Sequence, residues 1–418
     1  MIKEYTAMPL EVITKEVFKQ HYQKAKRKSF IQSVEMSDLL KKRGYNVEFI
    51  GFFTNNQLQV SALLFSTKMA GGLYLEINSG PVVTNYEFLP KFYEELKIYA
   101  RKLKAMELVV KPYDIYQVFN SKGEPISTEK NELISMLTNL NYQFDGLQKD
   151  YPGGEGDWHF IKDLNDLTEE TLLKSFTKQG KSLVKKAKTF GIELAKLNRN
   201  ELYKFKQITS STSERRNYDD KTLDYYEKFY DSFGNNAEFI IASINFKNYL
   251  ERLQSNQDEL SKKIKQLQAY LEKNNHSPEK KLNQIRELSS QFETFEIRKS
   301  EAYQLLEKYG NKSIILAGSL FVYTPQETVY LFSGSYPEFN KFYAPALLQD
   351  YVMRESIKRG IPRYNLLGIT GHFNGSDGVL RFKQNFNGYI LRKMGTFRYY
   401  PSPFKHKAIQ MIKKFLNR

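Results

Sequence analysis

The sequence predicts an α/β protein of the α+β kind: two copies of one module, with an antiparallel two-helix coiled-coil arm inserted in the second. Two observations carry this reading. The order strand, strand, strand, helix, strand occurs twice. Between the first and second strands of the later copy, a heptad seam runs through residues 246–309. The length, 418 residues, suits about two to four domains.

In the first copy, Val47 to Phe53 reads as a strand, Asn55-Asn56 as a hairpin turn, and Leu58 to Phe65 and Leu73 to Ile77 as the next two strands. Phe88, Phe92, Leu96, Tyr99 and Leu103 then mark a helix, and Leu108 to Val110 a strand. In the second copy Glu238 to Ile244, Ile314 to Tyr323 and Val329 to Ser333 read as strands. Ala344 to Arg359 follows as a helix and Tyr364 to Leu367 as a strand.

The arm stands where the first copy has only a turn, and insertion at an exposed turn costs little loop-closure entropy. Phe246, Leu250, Leu253, Gln257, Leu260, Ile264, Leu267 and Leu271 alternate by four and three. Asn274 to Pro278 reads as a turn. Ile285, Leu288, Phe292, Phe295, Lys299, Ala302, Leu306 and Tyr309 form the returning seam. Each arm helix should reach about 40 Å. The expected boundaries are 1–158 for the first module, 159–245 with 310–398 for the second, 246–309 for the arm and 399–418 for a basic C-terminal helix.

Composition narrows the function. Apolar residues make up 41% and aromatics 14%, enough for a sizeable core, so a disordered chain is excluded. No run of about 18 apolar residues reads as a transmembrane helix. The opening Met1-Ile2-Lys3-Glu4-Tyr5 lacks the pattern of a secretory signal. There is no cysteine, which excludes disulfides and thiol nucleophiles and fits a reducing cytoplasm. The net charge of +16 calls for an anionic partner. Residues 174–206 hold ten Lys/Arg against two Glu, and residues 381–418 hold ten with no carboxylate. The basicity is therefore localised, as on a binding surface.

Motifs for common chemistries are missing: GxxxxGK[ST], HExxH and GxSxG do not occur. The five histidines, His21, His159, His276, His372 and His406, show no ligand spacing, so no metal or cofactor is expected. Gly153 to Gly156 reads as a plain loop. A glycine-rich loop, Gly368 to Gly378 with Gly371 inside it, leaves a strand and runs into Arg381, Phe382 and Lys383. A lysine there could hold an oxyanion or a phosphate, or stand solvated. Gly334-Ser335 opens a second loop that passes Phe342-Tyr343-Ala344-Pro345 into a helix. Arg215 and Arg216, followed by Tyr218, offer forked donors suited to phosphate, or a surface ion-pair network. Lys181, Lys185, Lys186 and Lys188 crowd a helix whose like charges call for an anion opposite; nucleic acid and bulk solvent are the alternatives. Ala408, Ile409, Met411, Ile412, Phe415 and Leu416 alternate with lysines in the tail, which could meet anionic lipid or cap the core.

Taken in order, several segments resemble the FemABX family of aminoacyl-tRNA-dependent peptidoglycan transferases along essentially the whole chain. They are Phe30-Ile31-Gln32-Ser33, Asn78-Ser79-Gly80-Pro81, Ser213-Glu214-Arg215, the arm, Phe342-Tyr343-Ala344-Pro345, and Gly368 through Phe382-Lys383. The resemblance implies two modules like acetyltransferase (GNAT) domains. It implies transfer of an amino acid from charged tRNA to the branch on the stem peptide of lipid II, at the cytoplasmic face of the membrane. Within the family the segments look most like the streptococcal MurN group, associated with the second branch residue, commonly alanine. By the same resemblance Lys383 sits near the reacting ester carbonyl, with Phe382 shaping the acceptor pocket. Arg215 contacts the precursor's phosphates, and Tyr343, Tyr218 and Lys41 are further substrate contacts. Two departures stand out. Many relatives carry Asp-Pro where this chain has Lys111-Pro112, which removes a carboxylate base. The Q/R-x-x-G-x-G/A loop of acyl-CoA enzymes is also missing.

Overall fold

A computed structural model describes residues 10–151, 154, 156–273 and 278–415. Its strands among the described residues are β1 (Glu11–Ile13), β2 (Asn46–Thr54), β3 (Gln57–Met69), β4 (Gly72–Asn78), β5 (Val82–Val83), β6 (Ala105–Lys111), β7 (Ile115–Asn120), β8 (Gln143–Phe144), β9 (Trp158–Asp163), β10 (Glu193–Lys196), β11 (Ala237–Asn245), β12 (Ser313–Tyr323), β13 (Thr328–Ser335), β14 (Arg363–Ile369), β15 (Tyr389–Lys393) and β16 (Phe397–Tyr399). They form two mixed sheets. The first runs β1-β2-β3-β4-β6-β16-β8, with β5 beside β3; the second runs β10-β11-β12-β13-β14-β9-β15-β7.

Both predicted copies are present. In the first, Asn55 and Asn56 take φ of 51° and 60°, the left-handed pair that a tight hairpin between β2 and β3 needs. The helix Leu89–Lys102 lays Phe92, Leu96 and Ala100, one face at helical spacing, on Leu75, Ile77, Leu108 and Val110 of the sheet. In the second, the helix Ala344–Lys358 does the same with Leu348 and Val352. The sheets also exchange strands. β7, from the first half of the chain, ends the second sheet beside β15. β16, from the far end, enters the first sheet beside β6.

A third core joins the modules. Phe18, Phe49 and Leu63 of the first half meet Phe205, Tyr226, Phe239 and Leu320 of the second, all sealed from solvent. Each such aromatic contributes about 1.5–3 kcal/mol by burial, so the two halves are fused rather than tethered. Gln32 locks the first half internally. Its Nε2 donates to the carbonyls of Leu63 and Asn78, and its Oε1 accepts from the Leu63 amide. A side chain at Gly80 would strike the Gln32 amide. The segments Phe30–Ser33 and Asn78–Pro81 are thus one packing unit.

The arm is a pair of helices, Phe246–Lys273 and Pro278–Tyr309. The expected turn at 274–277 lies outside the described residues. Of the outward seam, Phe246, Leu253, Gln257 and Leu260 are buried. Lys299 on the returning helix donates to Gln257 Oε1 at 2.9 Å, and Gln257 donates in turn to Glu296. A polar layer inside an apolar seam fixes register. Phe246, Tyr309, Phe339 and Phe342 cluster at the root and tie the arm to the second module.

The helix Lys178–Thr189 lays Gly180, Val184 and Ala187 against the body and leaves Lys185 and Lys186 exposed. Its start packs so tightly that a Cβ on Gly180 would lie 2.0 Å from the Asn385 carbonyl oxygen. That oxygen also accepts from the Thr177 amide and hydroxyl, each at 3.1 Å. Gly180→Ala should therefore cost about 1–3 kcal/mol through overpacking. Chemical denaturation followed by circular dichroism checks this, and an unchanged midpoint would refute the contact.

Candidate active site

The second sheet contains a fork that the first lacks. β4 and β6 run parallel and stay paired along their length, from Leu73 with Ala105 to Asn78 with Lys111. Their counterparts β13 and β14 pair only at Thr328 with Tyr364 and Val329 with Asn365. Beyond that, β13 continues to Ser335 alongside β12, and β14 to Ile369 alongside β9. The carboxyl ends of two parallel strands thus diverge, which is where open α/β sheets place ligands.

On the β13 side, Gly334 lets the helix Leu202–Arg216 come close: a Cβ there would sit 2.7 Å from both Ile208 Cγ2 and the Ile208 carbonyl oxygen. The Ser335 amide donates to Thr212 Oγ1 at 3.2 Å, and Arg215 Nη2 donates to the Ser335 carbonyl at 3.3 Å. Asn217, with φ of 53°, ends the helix and leaves Arg215, Arg216 and Tyr218 exposed.

On the β14 side stands Lys383, in the short helix Gly378–Gln384. Asp377 caps this helix. Its Oδ1 accepts from the amides of Val379 and Leu380 at 2.8 and 3.1 Å, and its Oδ2 from the amide and hydroxyl of Thr370 at 3.0 and 2.9 Å. Burial works to raise the Asp377 carboxyl, but these hydrogen bonds outweigh it and hold it below the usual carboxylate range. Lys383 is only 3% exposed. Its Nζ donates to the carbonyl oxygens of Leu367 at 3.1 Å and Gly368 at 2.6 Å. Burial pushes the ammonium down to about 7, with the Asp377 charge acting the other way. Leu367 itself has φ of 58°, a left-handed conformation costing on the order of 1–3 kcal/mol for a residue with a side chain. Phe382 is half-buried, with its ring edge-on to Phe386 at 5.3 Å.

The predicted residues therefore divide. Arg215, Tyr218, Gly334 and Ser335 gather at one prong of the fork; Gly368, Gly371, Phe382 and Lys383 gather at the other. Gly371, with φ of 77°, abuts the Trp158 indole. Tyr343 belongs elsewhere. It caps the helix Ala344–Lys358, and Lys186 Nζ lies 6.0 Å from its ring. Lys188 pairs with buried Asp350 at 2.7 Å, while Lys185 and Lys186 are exposed and Lys181 half-buried. Lys41 is exposed near the end of the helix Val34–Lys42. Lys111 lies 3.2 Å from Glu76, so a carboxylate does stand beside this position, engaged in an ion pair.

Two features escaped sequence reasoning. Tyr151 lies over Gly368: a Cβ on that glycine would be 2.8 Å from the Tyr151 ring. Burial raises this phenol to about 12, with Asp377 adding to the rise and Arg216 opposing it. The ring thus senses charges from both prongs. The second feature is a cavity of about 920 Å³ between the modules, whose lining includes Arg27, Tyr113, His159, Glu327, Asn365 and Lys393. Glu327 is raised by burial, and His159 is pushed well below its usual range by burial and by the charges of Lys393 and Lys383. Among the described residues, no cluster of three or more His, Asp or Glu side chains is grouped to hold a metal.

The Lys383 amine gives a direct check. Its folded value of about 7 lies below that of an unfolded lysine, about 10.4. The burial penalty on the charged form is thus complete below about pH 7 and fades as pH rises toward 10. With lysine labelled at 13Cε, one resonance should titrate with a midpoint near 7 and vanish in Lys383→Met. Titration of every lysine near 10 would refute the burial.

Comparison with known proteins follows the same architecture. Residues 13–414 match the FemAB family. The aminoacyltransferase FemA of Staphylococcus aureus (strain bovine RF122 / ET3-1) is 29% identical over 379 residues, covering 88% of this chain and 89% of FemA. The crystal structure of FemX superimposes with a TM-score of 0.75 at 21% identity, covering 94% of this chain and 97% of FemX. A tandem GNAT protein from the clavulanic acid biosynthesis pathway aligns with a TM-score of 0.48 at 7% identity, over 93% of this chain and 94% of that one. The match runs through both modules, the arm and both prongs of the fork, and the chain belongs to the FemAB family.

Proposed function

We propose that this protein transfers an aminoacyl group from charged tRNA to the peptide branch of lipid II, placing alanine at the second branch position as the streptococcal MurN group does. The observation that carries the chemistry is a buried lysine at one prong of the fork, with an arginine at the end of the other. The branch amine, neutral, attacks the ester carbonyl on the terminal ribose. A tetrahedral oxyanion forms; the carbon–oxygen bond to the ribose then breaks and an amide remains. The amine's proton ends on the departing ribose hydroxyl, through water or substrate. No ATP is consumed, because the ester is already activated.

An ammonium has three donors, and Lys383 spends two on Leu367 and Gly368. The third is assigned to the oxyanion, in a site sealed from water where such a bond counts most. A lysine poised near neutrality can also pass a proton to the leaving oxygen. Phe382 borders the acceptor pocket. Arg215, with Tyr218 and Lys41, is assigned to the precursor's phosphates, for which a guanidinium fork is suited. The exposed Lys185 and Lys186 support a tRNA surface beside the Lys383 helix, with Lys181 contributing. Tyr343 then belongs to that surface through Lys186, and Lys188 helps anchor it through Asp350.

The lipid-linked acceptor places the reaction at the cytoplasmic face of the membrane. No helix among the described residues is long and apolar enough to cross a bilayer. The helix Pro403–Phe415 supports surface contact: Phe404, Met411 and Ile412 are 89%, 67% and 57% exposed along one stripe, with Lys405 and Lys407 beside it. Lys405 holds the helix to the body through the Gly71 carbonyl at 2.7 Å.

The test is a transfer assay with labelled alanyl-tRNA and lipid II, either unbranched or carrying one branch residue, in anionic vesicles. Label in the branched acceptor alone is expected. Label in unbranched lipid II would move the enzyme to the first position. Failure with alanyl-, seryl- and glycyl-tRNA, while tRNA still binds, would leave a non-catalytic tRNA-binding protein. Phe404→Glu should slow transfer several-fold on vesicles and leave it unchanged on detergent-solubilised acceptor.

A further inference from the structure

We propose that Asn365, oriented by Glu327, His159 and Tyr113, is a positioning residue for Lys383. The proposal rests on the assignment of Lys383 to the transfer step. It starts from a geometric oddity. Successive carbonyls of a strand point to opposite sides, yet those of Leu367 and Gly368 both receive the Lys383 ammonium. The left-handed turn at Leu367 makes this convergence possible, at the irregularity where β14 slips against β9 between Asn365 and Gly368.

Asn365 holds that turn. Its Oδ1 accepts from the Leu367 amide at 2.8 Å, a side-chain bond reaching two residues on. The side chain is 2% exposed, and its orientation is fully determined. Its Nδ2 donates to Glu327 Oε2 at 3.3 Å and to His159 Nδ1 at 3.3 Å. His159 Nε2 lies 3.2 Å from the Gly156 carbonyl, so that nitrogen carries the proton and Nδ1 is left as an acceptor. Both amide hydrogens are therefore placed, and only the oxygen can face Leu367. Glu327, itself 3% exposed, takes the Tyr113 hydroxyl on its other oxygen.

The path runs from Tyr113, in the first half of the chain, through Glu327 and Asn365 to the two carbonyls and Lys383. Its outer members line the cavity between the modules. The charged groups that bear on Lys383 are Asp377, which favours the ammonium, and His159, held neutral by burial. Neither touches its nitrogen, so the carbonyl pair supplies its hydrogen bonds.

The test uses the full chain labelled at lysine 13Cε, with Asn365→Ala and Tyr113→Phe, each checked for wild-type circular dichroism. Loss of the carbonyl pair with burial unchanged should lower the Lys383 midpoint by about one pH unit in Asn365→Ala, and by less in Tyr113→Phe. Single-turnover transfer at saturating substrates should fall at least tenfold in Asn365→Ala, with KM for charged tRNA within twofold. A folded Asn365→Ala with the wild-type midpoint overturns the proposal, whatever its rate. If Asn365→Ala does not fold, Tyr113→Phe decides: a lowered midpoint, smaller than one pH unit, is expected, and the wild-type midpoint overturns the proposal. If wild-type protein transfers nothing, the transfer reading falls alone and the resonance still judges the positioning.

Discussion

An ammonium sealed from water is tolerable only where acceptors meet its donors. At Lys383 those acceptors are two consecutive backbone carbonyls, brought together by a turn that a regular strand cannot make. Much of the second module serves this arrangement. The fork frees the end of β14 from β13, so its backbone can turn. Asp377 ties the loop to the helix that carries the lysine. Asn385, two residues past Lys383, gives its carbonyl to Thr177 and so seats the basic helix against the same point. The basic helix and the helix that carries Lys383 are thereby built on adjoining backbone.

The fused core extends the constraint to the other module. Phe18 and Phe49 pack with Phe205 and Phe239, and β7 and β16 cross between the sheets. A hinge between the halves would have to break strand pairing as well as an aromatic core. The cavity between them is therefore a fixed feature, and part of its wall is a hydrogen-bonded set of Tyr113, Glu327, Asn365 and His159. The arm is independent of this. It roots in the Phe246, Tyr309, Phe339 and Phe342 cluster and carries its own register lock at Gln257 and Lys299.

Periodic features were legible in the sequence. The repeated strand order, the Asn55-Asn56 turn and both arm helices declare themselves through local spacing, and the structure matches the strands to within about four residues at each end. The exchange of β7 and β16 was hidden, because the partner of a short strand is set by distant packing. Lys383 illustrates a different limit. Pattern alone reads it as a solvated lysine, resemblance to a family singles it out, and only coordinates show it buried. Asn365, Glu327 and Tyr113 gave no signal, being single polar residues far apart in the chain. Lys188 looked like its neighbours but is drawn to Asp350, a partner invisible from helix periodicity. Phe30–Ser33 and Asn78–Pro81, noticed for resemblance, owe their character to the Gln32 bonds that join them.

The central claim is that the Lys383 ammonium stabilises charge in the transition state and does little for binding. Rapid-quench transfer from charged tRNA under single-turnover conditions tests it most directly, with wild type and Lys383→Met compared and tRNA affinity measured in parallel. The account predicts a loss of about 10²–10³-fold in rate with affinity unchanged. Transfer by Lys383→Met within threefold of wild type would contradict it.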